Sequence, residues 1–147
     1  MGYGWIKANK GNQIYPVTDD QIREAEKEID LAFPEELVNF YKEVGYGFMQ
    51  GSEYNINRLM DPYSVRDFRL RVDDYEFYPD IEIYDDYEDN KLIFFEGSES
   101  ALMSIECNGK DRSPVYYYNS QIAESLEEFL RKIADDDHYY LGLLEDE

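Results

Sequence analysis

The densest concentration of chemically active side chains lies between Asp73 and Asn90. Nine acidic residues fall in this stretch, no lysine or arginine interrupts them, and five aromatic residues are interleaved with them. Carboxylates pair with lysine and arginine, and aromatic rings accept the same cations on their faces. Tyrosine is also enriched among the residues that dominate binding energy at interfaces. This acidic-aromatic segment therefore favours binding of a basic protein; the alternative is a solvated surface loop.

Twelve acids and aromatics of the acidic-aromatic segment are the predicted partner-binding residues. They are Asp74, Tyr75, Glu76, Tyr78, Asp80, Glu82, Tyr84, Asp85, Asp86, Tyr87, Glu88 and Asp89. Part of the segment is also expected to be structural, because Ile81 and Ile83 alternate with polar neighbours as on an edge strand. Charged residues on such a strand would prevent unwanted pairing with other sheets.

The remaining acids and the histidine do not form a recognisable catalytic or metal-binding motif. An EF-hand needs acids at fixed loop positions around a glycine, and neither residues 85–89 nor 135–138 supply them. With 34 acids in the chain, a pair suited to glycoside hydrolysis could be found by chance. His138 is the only histidine, and no G-x-S-x-G, P-loop or G-x-G-x-x-G motif is present. We predict no catalytic residue, cofactor or metal site, and a solvated His138.

The formal charge of −20 over 147 residues limits the classes of partner. Such a chain repels phosphate backbones and anionic lipid, so we expect no direct binding of nucleic acid and no membrane docking. The sequence has no apolar run long enough to span a bilayer and no apolar leader, which predicts a cytoplasmic protein. One cysteine, Cys107, excludes an internal disulfide, and we expect it to be a partly buried thiol. The basic island of Arg58, Arg66, Arg69 and Arg71 is expected to pair with carboxylates inside the monomer.

Two amphipathic helices are predicted near the start of the chain. Thr18 and Gln21 fit a capping box, after which apolar residues recur at helical spacing. Pro34 suits the first position of a second helix, whose apolar stripe includes Phe40 and which ends at the glycines of residues 45–47.

Strands and a final helix are predicted after residue 51. The strands are residues 54–59, 91–95, 101–105 and 114–118, with a short helix at 65–72. The last helix carries Ile122, Leu126, Phe129, Leu130 and Ile133. Helices at both ends and strands between them predict an α+β fold, with a mostly antiparallel sheet, in a single domain over residues 1–147.

Three motifs also occur in an order known from one protein family. The first is Phe-Pro followed by two glutamates at residues 33–36, with its helix closed by Gly-Tyr-Gly at 45–47. The second is the strand at 91–95 with an acidic turn, and the third is the strand at 114–118 followed by a helix with an Ala-x-Ser start and a Phe-Leu pair. Over residues 18–134 this pattern resembles the SUKH superfamily, which includes a fungal cell-wall synthesis regulator and bacterial immunity proteins. In the family pattern the first turn is Asn-Gly-Gly.

The resemblance implies the same α+β fold and, for bacterial members, an immunity protein that binds and blocks a polymorphic toxin, commonly a nuclease. It implies no catalytic residue. Because a nuclease is basic where it holds its substrate, an acidic inhibitor would complement it. An intracellular regulatory or scaffold protein, as the fungal relatives suggest, is the alternative function. The oligomeric state is not predicted.

Overall fold

The computed structural model describes residues 3–51, 55–72, 75–76, 90–98, 101–118 and 120–140. Within these residues the chain forms five helices and seven strands. The helices are α1 (Gly4–Ala8), α2 (Asp19–Ile29), α3 (Glu35–Glu43), α4 (Pro62–Leu70) and α5 (Leu126–Asp135). The strands are β1 (Gln13–Tyr15), β2 (Tyr46–Phe48), β3 (Asn55–Leu59), β4 (Lys91–Ser98), β5 (Leu102–Glu106), β6 (Val115–Tyr117) and β7 (Ser120–Ala123).

All seven strands belong to one antiparallel sheet, in which each strand pairs with its neighbours in the chain. The order β1 to β7 is therefore a meander without crossovers. Helix α4 packs on β4 and on α2, and α5 packs on β7. The predicted α+β fold with a mostly antiparallel sheet is confirmed. None of the described helices has the length and apolar composition needed to cross a bilayer.

The capping box at the start of α2 is present as predicted. The backbone N–H of Gln21 donates to Thr18 Oγ1 at 3.2 Å, and the backbone N–H of Thr18 donates to Gln21 Oε1 at 2.8 Å. Helix α2 ends where Asp30 takes a left-handed conformation, with φ of 54°. Pro34 then precedes α3 at the N-cap position. The capping box of Thr18 thus marks the start of α2, and Pro34 stands just before the start of α3.

The core joins α3 and α5 to the centre of the sheet. The rings of Phe40 and Phe129 are fully buried, which confirms the predicted apolar stripes of both helices. The Phe129 ring meets Phe94 and Phe95 of β4 edge-on, with centroids 5.8 Å and 4.9 Å away. Tyr41 is buried and donates its hydroxyl hydrogen to the carbonyl of Met60 at 2.6 Å. The core therefore contains oriented aromatic contacts as well as aliphatic packing.

The structure corrects the predicted start of the last helix. Ile122 belongs to β7, which pairs with β6, and α5 begins only at Leu126. Ser125 caps α5, because its hydroxyl oxygen accepts the backbone N–H of Glu128 at 3.1 Å. The four-residue spacing between Ile122 and Leu126 imitated a helical turn across this boundary. Helix α4, by contrast, begins earlier than predicted, with Pro62 in its first turn.

Two glycines allow β1 and β2 to pair closely. Gly45 and Gly47 have φ of 120° and 144°, where residues with a side chain are strained. A Cβ atom at either position would lie 1.9 Å from a carbonyl oxygen of β1, that of Tyr15 or of Gln13. The glycines predicted to end α3 therefore also bring Tyr46 into the sheet beside Tyr15.

Candidate protein-binding surface

An acid-walled cleft of about 690 Å³ opens between α3 and the start of α5. We call it the α3–α5 cleft. It is lined by Tyr3, Glu36, Asn39, Glu43, Asp111, Arg112, Ser125 and Glu127. Four carboxylates face one guanidinium, so the cleft has an excess of negative charge and suits a cationic side chain of a partner.

The buried acid of the α3–α5 cleft, Glu36, accepts hydrogen bonds from other parts of the same chain. Its carboxylate is 8% exposed and accepts the backbone N–H groups of Ser113 at 3.0 Å, Leu126 at 2.9 Å and Glu127 at 3.1 Å. The hydroxyl of Tyr3 donates to it at 3.5 Å. Burial, and then the charge of Glu36, raises the pKa of Tyr3 well above its ordinary value. Glu36 therefore connects α3 to the residues before β6 and to the start of α5.

The acids at the rim of the α3–α5 cleft are more accessible. Glu43 and Asp111 are exposed, although Glu43 also accepts the backbone N–H of Tyr3 at 2.9 Å. Glu127 is partly exposed and pairs with Arg131 at 3.2 Å. These three side chains give the cleft its outward negative charge.

A second cleft, of about 390 Å³, is lined by residues of α1 and of the end of α5, and we call it the α1–α5 cleft. It is lined by Trp5, Asn9, Asn12, Met49, Gln50, Gly51, Ile133, Ala134, Asp135, Asp136 and Asp137. Among these described residues there are three carboxylates and no lysine or arginine. Two ring contacts attach the α1 region to the rest of the fold: the ring of Tyr3 lies 5.0 Å from that of Phe40, and the guanidinium of Arg131 lies 4.8 Å from the ring of Trp5.

The end of α5 also brings together three groups of the kinds that ligate metals. One ligand atom each from Asp136, Asp137 and His138 lies within 4.8 Å of the others. Asp137 is 6% exposed, and its carboxylate accepts a hydrogen bond from Asn57 Nδ2 at 3.0 Å. His138 is exposed, with Nδ1 3.3 Å from Asp137 Oδ1. The contacts of Asp137 with β3 give it a structural role, and His138 lies at the surface as predicted.

The acidic-aromatic segment falls mostly outside the described residues. Of the predicted partner-binding residues, the structure describes Tyr75 and Glu76. Tyr75 is 8% exposed, its ring lies 5.0 Å from that of Phe68, and its hydroxyl is 3.3 Å from Arg58 Nη1. Burial raises the pKa of Tyr75, and the nearby Arg58 acts in the opposite direction. Glu76 is exposed.

The other ten predicted residues lie outside the described part of the chain. They are Asp74, Tyr78, Asp80, Glu82, Tyr84, Asp85, Asp86, Tyr87, Glu88 and Asp89. Their role in binding stays a prediction.

The four arginines of the basic island form ion pairs or hydrogen bonds with other groups of the same chain. Arg58 lies 3.6 Å from Asp61, and Arg66 lies 2.8 Å from Asp67 and 3.3 Å from Glu28. The other two arginines also donate to backbone carbonyls, Arg69 to that of Lys91 and Arg71 to that of Phe68. The island is therefore part of the monomer's internal polar network.

The thiol of Cys107 is partly buried, as predicted. Burial raises its pKa from 9.0 to about 11, and the charge of Arg69 acts in the opposite direction. A thiol of this kind is mostly protonated at neutral pH and is a poor nucleophile.

Comparison with known proteins identifies the family. A family model described as SMI1-KNR4 cell-wall (SUKH_6) matches residues 19–130, well over half of the chain. The chain belongs to the SUKH superfamily. It is also 66% identical over 147 residues, the full length of both proteins, to the Immunity protein YxxD of Bacillus subtilis (strain 168). The resemblance found in the sequence motifs is thus confirmed.

The two acid-walled clefts were not predicted from the sequence. The acids of the α3–α5 cleft are separated by many residues in the chain: Glu43 ends α3, Asp111 follows β5, and Glu127 lies in the first turn of α5. Those of the α1–α5 cleft are consecutive, at positions 135–137, but the other residues that line it come from distant parts of the chain. Only the pairing of the strands and the packing of α1 bring them together. Nothing in the local pattern of Glu35 and Glu36 shows that the second of them is buried.

Proposed function

We propose that this SUKH protein is an immunity protein, which binds a cognate toxin domain and blocks its activity. The observation that carries the proposal is the 66% identity, over the full length of both chains, to a protein named as an immunity protein. The family match is consistent with it. The same two comparisons support an inhibitor and not an enzyme, as the sequence predicted.

The partner proposed here is a basic toxin domain, and a nuclease fits best. A nuclease binds a polyanion and needs cationic side chains where the substrate lies. A chain of formal charge −20 attracts such a surface and competes with its substrate. The acid-walled α3–α5 and α1–α5 clefts add local sites for lysine or arginine side chains. We place the action of the protein in the cytoplasm.

The acidic-aromatic segment is the proposed occluding surface. Its carboxylates would meet the cations of the toxin, and its tyrosines would supply apolar contact area. The described start of the segment supports this arrangement, because the buried Tyr75 attaches it to Phe68 and Arg58.

Co-expression tests the proposed function directly. The domain to test is the C-terminal domain of a large secreted protein, if a gene neighbouring that of this chain encodes one. We expect that domain alone to stop growth and to degrade nucleic acid in vitro, and this chain to restore growth and suppress the degradation. If a toxic domain from that gene is unaffected by the chain, the proposal is wrong for this partner; if the domain is blocked but degrades no nucleic acid, only the nuclease assignment fails.

Alanine substitutions in the acidic-aromatic segment test the proposed interface. Tyr78→Ala, Tyr84→Ala and Tyr87→Ala should weaken the complex by about 2 kcal/mol or more at one or two positions. Their melting temperatures should barely move, since surface substitutions usually change stability by less than about 0.5 kcal/mol. Tyr75→Ala is the matched control, because its ring is buried and its loss should lower stability. Normal melting and normal binding in all three variants would place the interface elsewhere.

A further inference from the structure

One face of strands β1 to β3 exposes large apolar side chains side by side. Tyr15 is 44% exposed, Phe48 is 37% exposed and Ile56 is 38% exposed. These are three of the five most exposed large apolar residues in the described part of the chain. With the partly exposed Tyr46 they form what we call the aromatic sheet face.

The register of the strands places these side chains on the same side of the sheet. Tyr15 pairs with Tyr46, and their ring centroids are 5.4 Å apart. Phe48 follows two residues after Tyr46, so its side chain points to the same face. It pairs with Arg58 of β3. A register shift lies between Asn55 and Arg58, but the burial of Asn57 and Leu59 and the exposure of Ile56 and partial exposure of Arg58 place the last two on the solvent side.

The aromatic sheet face depends on the close pairing of β1 and β2, which requires glycine at positions 45 and 47. Only residues without a Cβ atom let β2 come this close to β1 at these two points. The close pairing is what sets Tyr15 beside Tyr46. Contiguous exposed apolar area of this kind is typical of a surface that binds another protein.

The charge of the molecule selects the kind of partner. A second copy of the chain would bring another formal charge of −20 to the contact, which disfavours self-association. By strand register, Glu96 of β4 lies beside Arg58 on the same side of the sheet. The charge of Arg58 is already met by Asp61 at 3.6 Å. Two carboxylates therefore accompany the one arginine beside the aromatic rings.

We infer that the aromatic sheet face binds a basic protein surface, whose lysine or arginine side chains lie against the rings of Tyr15, Tyr46 and Phe48. The stems of these side chains would cover apolar area while their charged ends reach the carboxylates of Asp61 and Glu96. Cations are also attracted to the faces of aromatic rings. This inference rests on the proposed function, because the basic partner is the toxin domain, and it adds a second contact surface to the acidic-aromatic segment.

Binding measurements on matched variants test the inference, with the purified toxin domain of the co-expression assay, inactivated, as the probe. At least one of Tyr15→Ala, Phe48→Ala and Ile56→Ala should raise the Kd about 30-fold, the change typical of a dominant interface residue. Leu70→Ala is the control, because Leu70 is 42% exposed but belongs to α4 and not to strands β1 to β3. It should leave the Kd within about threefold, since most surface substitutions have small effects.

Two substitutions of opposite charge at Ile56 test whether the surface of the partner is basic. Ile56→Lys and Ile56→Glu remove the same apolar side chain and introduce opposite charges. Against a basic surface, the lysine variant should bind more weakly than the glutamate variant, and raised salt should reduce the difference. This comparison remains informative if Phe48→Ala lowers the stability of the fold, because thermal melts of the two Ile56 variants show whether both are folded.

The outcomes separate failure of the inference from failure of the proposed function. If the wild-type chain does not bind the toxin domain, the proposed function fails and the inference fails with it. If the wild-type chain binds and the face variants bind as tightly as Leu70→Ala, only the aromatic sheet face is wrong. Sedimentation of the free protein is the last check: a dimer that Phe48→Ala converts to monomer would assign the face to a second copy and overturn the inference.

Discussion

The carboxylate of Glu36 caps a helix other than its own. It lies in α3, yet it accepts the N–H groups of Leu126 and Glu127 at the start of α5, together with that of Ser113. The first N–H groups of a helix have no partner within the helix, and a negative charge suits that end. One buried side chain therefore links the N-terminal helices to the C-terminal helix.

Glu36→Gln should lower the free energy of unfolding by about 1.5–3 kcal/mol, the range for losing a charged hydrogen-bond partner of buried groups. The amide offers one accepting oxygen where the carboxylate offers two, so at least one N–H loses its partner. Urea unfolding measures the change. Glu35→Gln is the control, since Glu35 is the exposed neighbour on the same turn. Equal effects of the two substitutions would show that the hydrogen bonds to Glu36 contribute little.

Cys107 should react slowly while the protein is folded. Raising its pKa from 9.0 to about 11 lowers the thiolate fraction at pH 8 about 100-fold, because each pKa unit is a factor of ten. Alkylation by iodoacetamide at pH 8, followed by mass spectrometry, should therefore be much slower in buffer than in concentrated urea. Similar rates in the two solutions would mean that the thiol is more accessible than its burial indicates.

At the scale of elements, local sequence patterns predicted the parts of the fold that carry their own signals. The capping box of Thr18 defined α2, and the run of residues 91–95 defined most of β4. The unpredicted elements α1, β1, β2 and β7 have three to five residues each, which is too short for a periodic pattern. β1 and β2 also require close approach at Gly45 and Gly47, which no local pattern reveals.

The same physical reason limited the prediction of the candidate site. The acidic-aromatic segment is contiguous, so its composition could be recognised in the sequence. The α3–α5 cleft and the aromatic sheet face are assembled from separate elements. Their residues, such as Asp111 and Phe48, become neighbours of the others only through strand pairing and helix packing.

Helices α3 and α5 each place one fully buried phenylalanine ring in the core. Phe129→Ala removes a fully buried ring that contacts both Phe94 and Phe95, and should cost about 3–5 kcal/mol in lost burial and cavity formation. Phe40→Ala on α3 should cost a similar amount, since its ring is also fully buried. Urea melts measure both variants. A change below about 1 kcal/mol at either site would contradict the packing described here.

At the scale of the whole molecule, negative charge and exposed aromatic area occur together. The two clefts are acidic, and the aromatic sheet face lies on a chain of formal charge −20. Charge acts over long distances and governs the approach of a partner, whereas apolar contact acts only after docking and governs how long the complex lasts. The two properties should therefore appear in different rate constants.

Salt should slow association of the toxin complex more than it speeds dissociation. Between about 0.05 M and about 0.5 M salt the Debye length falls from about 14 Å to about 4 Å, so the long-range attraction of a chain of formal charge −20 is lost first. Stopped-flow mixing with the toxin domain measures both rates. Replacing Asp85, Asp86 and Asp89 with Asn should reduce the salt dependence of association if the acidic-aromatic segment steers the encounter.

A second triple variant separates steering by the acidic-aromatic segment from an effect of net charge. Asp30→Asn, Glu35→Gln and Glu124→Gln together remove the same number of charges from exposed positions outside the acidic-aromatic segment. If that segment faces the toxin, the segment variant should associate more slowly than this control at low salt and converge with it at high salt. Equal association rates at every salt concentration would mean that only the total charge matters, and an association rate indifferent to salt in the wild-type protein would refute electrostatic steering altogether.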